Sequence, residues 1–353
     1  MKTEAKNPSP AGRPRADKHI ALVFDPRHAL HHVHDRGYGE VPRRVEIIHE
    51  ALKKTPLFKE VSPRPFPESH ITAVHDRKML AYFKKVCAAV PEDTSVYPYI
   101  FPLHHPDRPP ADPTYQAGYF CIDTFTPLNR KALDAAVRAV DCTLTAADLL
   151  GKGTFRAYAL VRPPGHHSEK KVFGGFCYFN SASIAAHYLS RLGSVAILDI
   201  DYHHGNGHQD IFYERDDVLT VSLHGRPSIA YPFFSGFTEE RGAGKGEGFN
   251  INYPLPEKIT AEVYLKTLHS ALKKIETFNP AYLLVALGFD TAKGDPTGSW
   301  PLEAGDFQRI GELIGAQKRP ILLVQEGGYR LQTLGRNAAS FFTGFHGASF
   351  NLP

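Results

Sequence analysis

Short apolar runs alternate with amphipathic segments along most of the chain. Six runs are short and rich in aliphatic residues, as buried strands of a parallel sheet are: HIALVFD from residue 19, AYALV from 157, SVAILDI from 194, VLTVSLHG from 218, AYLLVALGFD from 281 and PILLVQEGG from 320. Apolar residues at helical spacing predict helices over 42–54, 130–150, 180–192 and 261–278. This alternation predicts an α/β chain with a mostly parallel sheet and helices on both of its faces.

Each predicted helix carries an apolar stripe that would face the sheet. The stripes consist of Val45, Ile48 and Leu52; Leu133, Val137, Val140 and Leu144; Ile184, Tyr188 and Leu192; and Val263, Leu268, Leu272 and Ile275. We expect Gly151 to end the second helix, because glycine favours the left-handed conformation found at helix C-termini.

Five of the predicted strands run directly into polar or glycine-rich clusters. In chain order these clusters are Arg162-Pro-Pro-Gly-His166-His167, Asp199 to His204, His224-Gly225, Asp290, and Glu326-Gly-Gly-Tyr329. Because open α/β sheets bind ligands at the carboxyl ends of their strands, we expect the clusters to meet at one site. Singly, each has an ordinary structural explanation, such as a turn cap or a surface loop. Together they provide the groups that metal-assisted hydrolysis requires.

The segment SVAILDIDYHHGNG, residues 194–207, has the strongest chemical character. Asp199, Asp201 and His203 occupy alternate positions, so in an extended backbone they project from one face, and His204 projects from the other. Two carboxylates and an imidazole on one side of a buried strand are costly unless a cation neutralises them. The segment therefore predicts a metal site, with a solvated loop rich in Asp and His as the alternative.

Composition narrows the class of protein. The chain has 353 residues, 42% of them hydrophobic and 22% charged, which fits one large globular α/β domain. Its formal net charge of +4 gives no support for specific nucleic-acid binding. No apolar run is long enough to span a membrane, and the N-terminus lacks the apolar centre of a signal peptide, so we expect a cytoplasmic protein.

The ends of the folded part and the cysteines lead to two further expectations. Residues 1–18 are rich in Pro, Lys and Arg and are predicted to form a disordered tail, with the folded domain beginning at His19. The four cysteines show no CxxC spacing and are predicted to be buried free thiols: Cys87, Cys121, Cys142 and Cys177.

The motifs at the strand ends carry a family resemblance. RPPGHH, DIDYHHGNG, LGFD followed by GDP, and EGGY occur in the order seen in the zinc-dependent deacetylase family, which includes histone deacetylases and acetylpolyamine amidohydrolases. PYIFP at 98–102 and AGYFCIDTFTP at 117–127 are most similar to the bacterial acetylpolyamine amidohydrolases. The resemblance implies the single-domain arginase–deacetylase fold over residues 19–353, with a sheet of about eight strands between helices.

The resemblance implies that Asp201, His203 and Asp290 bind one catalytic zinc ion. Three protein ligands leave positions open for water and a substrate carbonyl, as a catalytic zinc site needs. Zinc would polarise the amide and lower the pKa of its water. The implied reaction is the hydrolysis of an acetylated or otherwise acylated amine.

The resemblance also assigns roles around the implied zinc. His167 would act as general base and then as general acid, while His166 would act mainly through its charge. Tyr329 would donate a hydrogen bond to the oxyanion of the intermediate. Asp199 would orient His166, and Asn206 would orient His167. Asn206 departs from those histone deacetylases that have an aspartate here, and an amide stabilises an imidazolium less than a carboxylate does.

The implied substrate pocket is built from glycine and aromatic residues. Gly174, Gly175 and Phe176 resemble a segment in which a backbone carbonyl receives the substrate N–H and a phenylalanine lines a narrow tunnel. The opposite wall is assigned to Tyr231, Phe233 and Phe234. For these aromatic residues, core packing is the alternative explanation.

Three more ion-related features are suggested by the resemblance or by the sequence. A structural potassium ion beneath the zinc would be held by Asp199, Asp201, His203, Ser222 and Leu223. Arg44 resembles an internal arginine that interacts with released acetate. A second metal site at His28, His31, His32 and His34 is less favoured than a loop that shapes the entrance.

Residues 91–116 form a proline-rich segment that is predicted to contain neither a long helix nor an inner strand. The resemblance implies that this insertion mediates homodimerisation and narrows the entrance. Asp107 and Asp112 would suit a cationic polyamine, but His104, His105 and Arg108 stand beside them. The substrate therefore stays open among acetylpolyamines, acyl-lysine side chains and other acylated amines.

Three other functions compete with this interpretation. An arginase-like ureohydrolase shares the fold but needs paired manganese ions, and the single Asp290 after VALGF does not provide a second set of bridging carboxylates. A non-catalytic protein that binds acylated amines is disfavoured by the presence of Tyr329 and both histidines. A nucleic-acid-binding module is suggested only by the mildly basic charge.

Overall fold

Eight parallel strands make up one sheet in the computed structural model of the protein, which describes residues 18–92, 94–98, 107–108 and 110–350. The strands are β1 (Ile20–Phe24), β2 (Phe58–Val61), β3 (Arg156–Leu160), β4 (Val195–Asp199), β5 (Val218–Gly225), β6 (Asn250–Leu255), β7 (Tyr282–Leu287) and β8 (Ile321–Gln325). The helices are α1 (Arg43–Leu52), α2 (Arg77–Ala89), α3 (Pro113–Gln116), α4 (Ala132–Gly151), α5 (Ser181–Leu189), α6 (Asn206–Phe212), α7 (Ala261–Phe278), α8 (Ala304–Gly315) and α9 (Leu331–Phe350). The predicted disordered tail lies outside the described residues except for Lys18. Residues 93, 99–106 and 109 of the predicted insertion also lie outside them.

The strand order is β2-β1-β3-β8-β7-β4-β5-β6, and all neighbouring strands are parallel. Asp199, the last residue of β4, is in register with Ser222 of β5 on one side and with Ala286 of β7 on the other. The strands that carry the polar clusters therefore end next to one another. The predicted fold class and the number of strands are confirmed.

Helices cover both faces of the sheet because successive strand residues point to opposite sides. In β4, Val195 and Ile197 pack into a core with α2, α4 and α5, whereas Ala196 and Leu198 pack into a second core with α1, α7, α8 and α9. All five residues of β4 are buried, as expected for an inner strand of a parallel sheet.

The sequence pattern missed the two edge strands. β2 has the sequence FKEV, with Lys59 and Glu60 exposed. β6 has the sequence NINYPL and contains Pro254, which cannot donate to a ladder hydrogen bond and therefore fits only an edge strand. Neither strand is a continuous apolar run, and this is why neither was predicted. Helices α2, α3, α6, α8 and α9 also lie outside the predicted set.

Helix α7 has the predicted bounds, 261–278, but details of three predicted helices differ from the prediction. Helix α5 ends at Leu189, so Leu192 lies beyond it and is 57% exposed. Val263 lies in the first turn of α7 and is 44% exposed. Gly151 is the last residue of α4, but the left-handed residue after this helix is Gly153, with φ of 102°.

Two sequence expectations concern the whole chain. The four cysteines are free and buried, as predicted. Within the described ranges, no helix is both long enough and apolar enough to cross a membrane.

Candidate active site

The predicted site residues converge at the carboxyl ends of β3, β4, β7 and β8. His166 and His167 follow β3, Asp201 and His203 follow β4, and Asp290 and Tyr329 follow β7 and β8. Asp201 and Asp290 are 1% and 0% exposed, and both histidines after β3 are 3% exposed. Parallel topology brings together residues that are far apart in sequence, as the strand-end pattern predicts.

The centre of the site is a group of two carboxylates and one imidazole, formed by Asp201, His203 and Asp290. His203 Nδ1 lies 3.2 Å from Asp201 Oδ1 and 3.0 Å from Asp290 Oδ2. Their nearest donor atoms all lie within 4.8 Å of one another. Burial and the adjacent Asp201 carboxylate raise the pKa of Asp290 to about 8. The one imidazole does not neutralise the two buried carboxylates, and such an excess of buried negative charge is expected of a cation site.

One other group of possible ligands has similar spacing in the described part of the chain: His166, Cys177 and Glu326. Two of its three side chains have other partners: His166 Nδ1 lies 2.9 Å from Asp199 Oδ2, and Cys177 Sγ donates to Gly175 O at 3.3 Å, whereas Glu326 Oε1 is buried without a hydrogen-bond partner among the described residues. Glu326 Oε2 accepts hydrogen bonds from the backbone N–H groups of Gly165 and His166 at 2.7 and 3.1 Å. Burial raises the pKa of the Cys177 thiol well above its ordinary value, so the thiol stays protonated. This second group therefore braces the RPPGHH turn and does not resemble a metal site.

His166 and His167 differ in the partner at Nδ1. His166 Nδ1 lies 2.9 Å from Asp199 Oδ2, whereas His167 Nδ1 lies 2.7 Å from Asn206 Oδ1. Burial opposes protonation of His166, but Asp201 and Asp199 raise its pKa to about 10. Burial, His166 and His203 lower the pKa of His167 well below its ordinary value. Two adjacent imidazoles whose pKa values are pushed apart are the pattern expected of an acid and base pair.

The EGGY loop comes so close to the carboxylates that only glycine fits there. A side chain at Gly327 would begin 2.5 Å from Asp201 Oδ2 and 2.6 Å from Asp290 Oδ2. The Gly327 N–H donates to Asp201 Oδ2 at 2.8 Å. The loop thereby places Tyr329 at the site, where its ring packs against Phe176 with centroids 5.7 Å apart.

A buried ion network supports this loop from behind. Arg44 donates to Glu326 O and to Gly328 O at 2.6 Å each, and to Glu40 Oε1 at 2.8 Å. Arg162, which begins the RPPGHH motif, also donates to Glu40 Oε1 at 2.8 Å. Glu40 is 0% exposed. Through these two arginines it links the EGGY loop to the RPPGHH motif from within the core. The Arg44 guanidinium lies 4.4 Å from the Tyr329 ring centroid.

The predicted tunnel segment has an unusual backbone. Gly175 and Phe176 both have positive φ, at 57° and 67°. A side chain at Gly175 would begin 2.1 Å from the His167 ring. Asp123 Oδ2 accepts the Gly175 N–H at 2.6 Å, and Thr126 Oγ1 accepts the Phe176 N–H at 3.0 Å. These two bonds hold a left-handed phenylalanine that would otherwise be disfavoured.

The residues assigned to the walls of the predicted tunnel differ in burial and in contacts. Tyr231 packs on His167 with ring centroids 4.7 Å apart and donates its hydroxyl to Asp123 Oδ2 at 2.9 Å. Phe176 is flanked by Tyr38 and Phe125, at 5.3 and 5.6 Å. Phe233 and Phe234 are 58% and 53% exposed, so they lie at the surface, and their contact with substrate stays a prediction.

The residues assigned to potassium surround the ends of β4 and β5. The Asp201 N–H donates to Asp199 Oδ1 at 3.1 Å, and Ser222 Oγ lies 2.8 Å from His224 Nδ1. Leu223 is 0% exposed. His208 Nε2 is buried without a hydrogen-bond partner and lies 3.7 Å from Asp199 Oδ2.

The four histidines after β1 do not form a ligand group in the described ranges. His31 is buried and Nδ1 lies 3.0 Å from Asn129 Oδ1. Burial, opposed only in part by nearby carboxylates, lowers the pKa of His28 to about 4. His32 and His34 stack with ring centroids 4.0 Å apart. The explanation as an entrance loop therefore fits better than a second metal site.

Asp123 and Glu169 are residues of the site that were not found from sequence. Glu326 was recognised as part of the EGGY cluster, but its hydrogen bonds to the RPPGHH turn were not predicted. Asp123 accepts hydrogen bonds from Gly175 and Tyr231, and Glu169 accepts one from Asn206 Nδ2 at 2.7 Å. These partners are distant in sequence, and no local sequence pattern marks either acid.

A family comparison decides between the candidate classes. A model of the histone deacetylase domain matches residues 38–345. The chain belongs to the histone deacetylase family. This membership confirms the predicted enzyme class, a metal-dependent deacetylase, and argues against a ureohydrolase or a non-catalytic binding protein.

Two curated relatives are similar to this chain over nearly their whole length. The acetylpolyamine amidohydrolase of Burkholderia pseudomallei is 38% identical over 338 residues, which cover 92% of this chain and 98% of that protein. Acetylpolyamine amidohydrolase 1 of Pseudomonas aeruginosa is 36% identical over 318 residues, covering 88% and 92%. The crystal structure of the acetylpolyamine aminohydrolase from Burkholderia pseudomallei superposes with a TM-score of 0.87, covering 94% of this chain and 99% of that one. The predicted resemblance is confirmed.

Proposed function

We propose that the protein is a zinc-dependent amidohydrolase that removes the acetyl group from acetylated polyamines. The observation that carries the proposal is the group Asp201, His203 and Asp290 beside two buried histidines with unlike partners, His166 and His167. The names of the relatives at 36% and 38% identity support the substrate class.

The donor set suits zinc. It offers one imidazole nitrogen and two carboxylate oxygens, and it would leave positions open for water and substrate. Burial is the main cause of the raised pKa of Asp290 and repulsion from Asp201 the next, and a divalent cation would offset both. When bound, the ion would polarise the substrate carbonyl and lower the pKa of a water molecule.

We assign the proton transfers to His167. Its Nδ1 faces Asn206, which leaves Nε2 to accept a proton, and its low pKa keeps the ring neutral beforehand. The same nitrogen can then deliver the proton to the departing amine. His166, paired with Asp199, retains its proton and contributes positive charge.

We assign the stabilisation of the oxyanion to Tyr329. Its backbone N–H donates to Asp295 Oδ2 at 2.7 Å, and its ring contacts both the Arg44 guanidinium and the Phe176 ring. Burial is the main reason why the pKa of Tyr329 lies well above its ordinary value, so the hydroxyl keeps the proton that it must donate. A donor fixed in place before the reaction stabilises the developing charge without reorganisation.

A narrow tunnel lined by the residues assigned to it would favour a linear substrate. We propose that Gly175, Phe176, Tyr231 and Phe234 contact the methylene chain of the acylated amine, with the ring of Tyr231 against His167. A polyamine and a lysine side chain both meet this requirement, and hydrolysis of acetyl-lysine in peptides is the second candidate because the family model describes histone deacetylases.

The test is a comparison of N-acetylated polyamines with acetyl-lysine peptides, using the zinc-loaded protein. We expect kcat/KM for the best polyamine to exceed that for the best peptide by at least about tenfold, or about 1.4 kcal/mol in transition-state binding. A preference for peptides would refute the substrate class. An absence of turnover on both, with zinc bound, would refute the activity.

Two structural proposals accompany the activity. Potassium would bind at Asp199, Asp201, His203, Ser222 and Leu223, and thermal stability should then rise in potassium relative to lithium salts at equal ionic strength. A homodimer would form through residues 91–116, where Tyr97 and Tyr115 are 36% and 50% exposed. Light scattering that gives the mass of a monomer at micromolar concentration would exclude this dimer.

A further inference from the structure

Asn206 is held between His167 and a carboxylate that the mechanism does not use, Glu169. Asn206 Nδ2 donates to Glu169 Oε1 at 2.7 Å and to the backbone oxygen of His167 at 3.2 Å. Its Oδ1 lies 2.7 Å from His167 Nδ1. Asn206 is 2% exposed, so solvent cannot easily replace any of these partners.

The two acceptors fix the direction of the amide. A carboxylate and a backbone carbonyl can receive the NH₂ group but cannot donate to the amide oxygen, and a protonated carboxyl still keeps one accepting oxygen. Rotating the amide by 180° would place Oδ1 against both acceptors and would turn the NH₂ group toward His167 Nδ1. That nitrogen would then have to accept, and the proton of the ring would move to Nε2.

We infer that Glu169 is a positioning residue, which acts through Asn206 to hold His167 in the tautomer with its proton on Nδ1. Its importance for turnover rests on the proposed function, because that function uses Nε2 of His167 as the proton acceptor. The tautomer itself can be measured without turnover.

The same contact explains why residue 206 is an amide in this chain. A carboxylate at residue 206 would put an oxygen where Nδ2 now lies, 2.7 Å from Glu169 Oε1. Two carboxylates at that distance cannot both be ionised. The backbone of Glu169 is itself fixed, because its oxygen lies 2.8 Å from His75 Nδ1 and its N–H donates to Val172 O at 2.9 Å. The side chain therefore cannot withdraw by a simple movement of the loop.

The first test uses steady-state kinetics of the zinc-loaded, full-length protein. Glu169→Leu removes the acceptor, and we expect kcat to fall by about tenfold with KM within about twofold and zinc content unchanged. Glu169→Gln keeps an accepting oxygen and should stay within about threefold of the parent. Asp210→Asn is the matched control, since Asp210 is a nearby acid whose side chain accepts the backbone N–H of Lys170 and, among the described residues, makes no hydrogen bond to the Asn206 side chain.

A double-mutant cycle separates positioning from simple packing. Asn206→Asp should lower kcat by more than about tenfold in the parent, but by less than about threefold in the Glu169→Gln background, where the new amide can donate to the new carboxylate. If Asn206→Asp costs the same in both backgrounds, the inference is wrong.

The second test reads the tautomer directly. In protein labelled with ¹⁵N-histidine, two-bond couplings should show the Nδ1–H form of His167 in the parent, assigned by its loss in His167→Gln, and a substantial Nε2–H fraction in Glu169→Leu. An unchanged tautomer in Glu169→Leu would overturn the inference. If the parent hydrolyses no acetylated amine, the proposed function fails, while this measurement still decides the role of Glu169.

Discussion

Replacing Tyr329 with phenylalanine removes one hydroxyl from the proposed reaction centre. In the described part of the chain this hydroxyl has no hydrogen-bond partner, while the ring keeps Arg44 at 4.4 Å and Phe176 at 5.7 Å. Folding therefore does not depend on the hydroxyl, and the free energy of unfolding should change by less than about 1 kcal/mol. Zinc content should also be unchanged, because the three ligand candidates are untouched.

Turnover should respond strongly to the same change. Loss of one preorganised donor to an oxyanion costs about 100- to 1000-fold in kcat, or about 2.7–4 kcal/mol. KM should change little, because the contact strengthens only as negative charge develops on the oxygen. The assay is single-turnover hydrolysis of an acetylated amine, so that chemistry and not product release is measured.

A matched control tests whether any loss of tyrosine would do the same. Tyr188 lies on helix α5, away from the reaction centre, and its hydroxyl donates to Asp148 on helix α4 at 2.9 Å. Tyr188→Phe deletes this hydroxyl. It should lower stability slightly and leave kcat unchanged. If kcat of Tyr329→Phe stays within about threefold of the parent, the hydroxyl does not stabilise the oxyanion and the proposed mechanism loses its electrophilic donor.

Further predictions concern the ligands, the tunnel, the buried thiol and the response to acid. Asp201→Ala or His203→Ala should abolish both zinc binding and activity, because three ligands leave no redundancy; full zinc occupancy by metal analysis would contradict the assignment. Asp123→Ala removes the acceptor of the Gly175 N–H and of the Tyr231 hydroxyl. The free energy of unfolding, measured with denaturant, should fall by about 2–3 kcal/mol, and KM should rise. A variant with unchanged stability and KM would show that the predicted tunnel does not need this carboxylate. Cys177→Ser should retain zinc and most turnover, and loss of turnover beyond the loss of stability would count against an inert thiol. Burial lowers the pKa of His75 to about 4, so the stability that this group contributes is present above about pH 6.5 and is lost as the pH falls toward 4; denaturation curves that show no such slope would refute this.

The inner part of the sheet was predictable because each inner strand is buried on both faces. That condition requires continuous apolar runs, such as ILLVQ in β8, and such runs can be recognised without any tertiary information. The edge strands β2 and β6 do not meet this condition, since one side of each is open, and their polar residues and Pro254 hide them from the same criterion.

The candidate site divides in a similar way. Residues that follow a strand directly, such as Asp201 and Asp290, were found because parallel topology alone brings strand ends together. Asp123 and Glu169 were missed because their roles depend on which backbone N–H or amide they meet after folding. Phe234 was assigned to the wall of the predicted tunnel, but its side chain is 53% exposed. Its aromatic character suggested a contact with substrate but did not determine its exposure.

The position of β8 has a consequence for how the chain is made. This strand is the last in sequence, yet it lies between β3 and β7 and not at an edge. During synthesis the two halves of the sheet therefore lack the strand that joins them until residues 321–325 have left the ribosome, and the pairing of β3 with β8 closes a loop of more than 160 residues. The EGGY loop that follows β8 is added at the same moment. A chain stalled on the ribosome before residue 321 therefore carries the proposed metal ligands Asp201, His203 and Asp290 but lacks Tyr329, and it should be inactive.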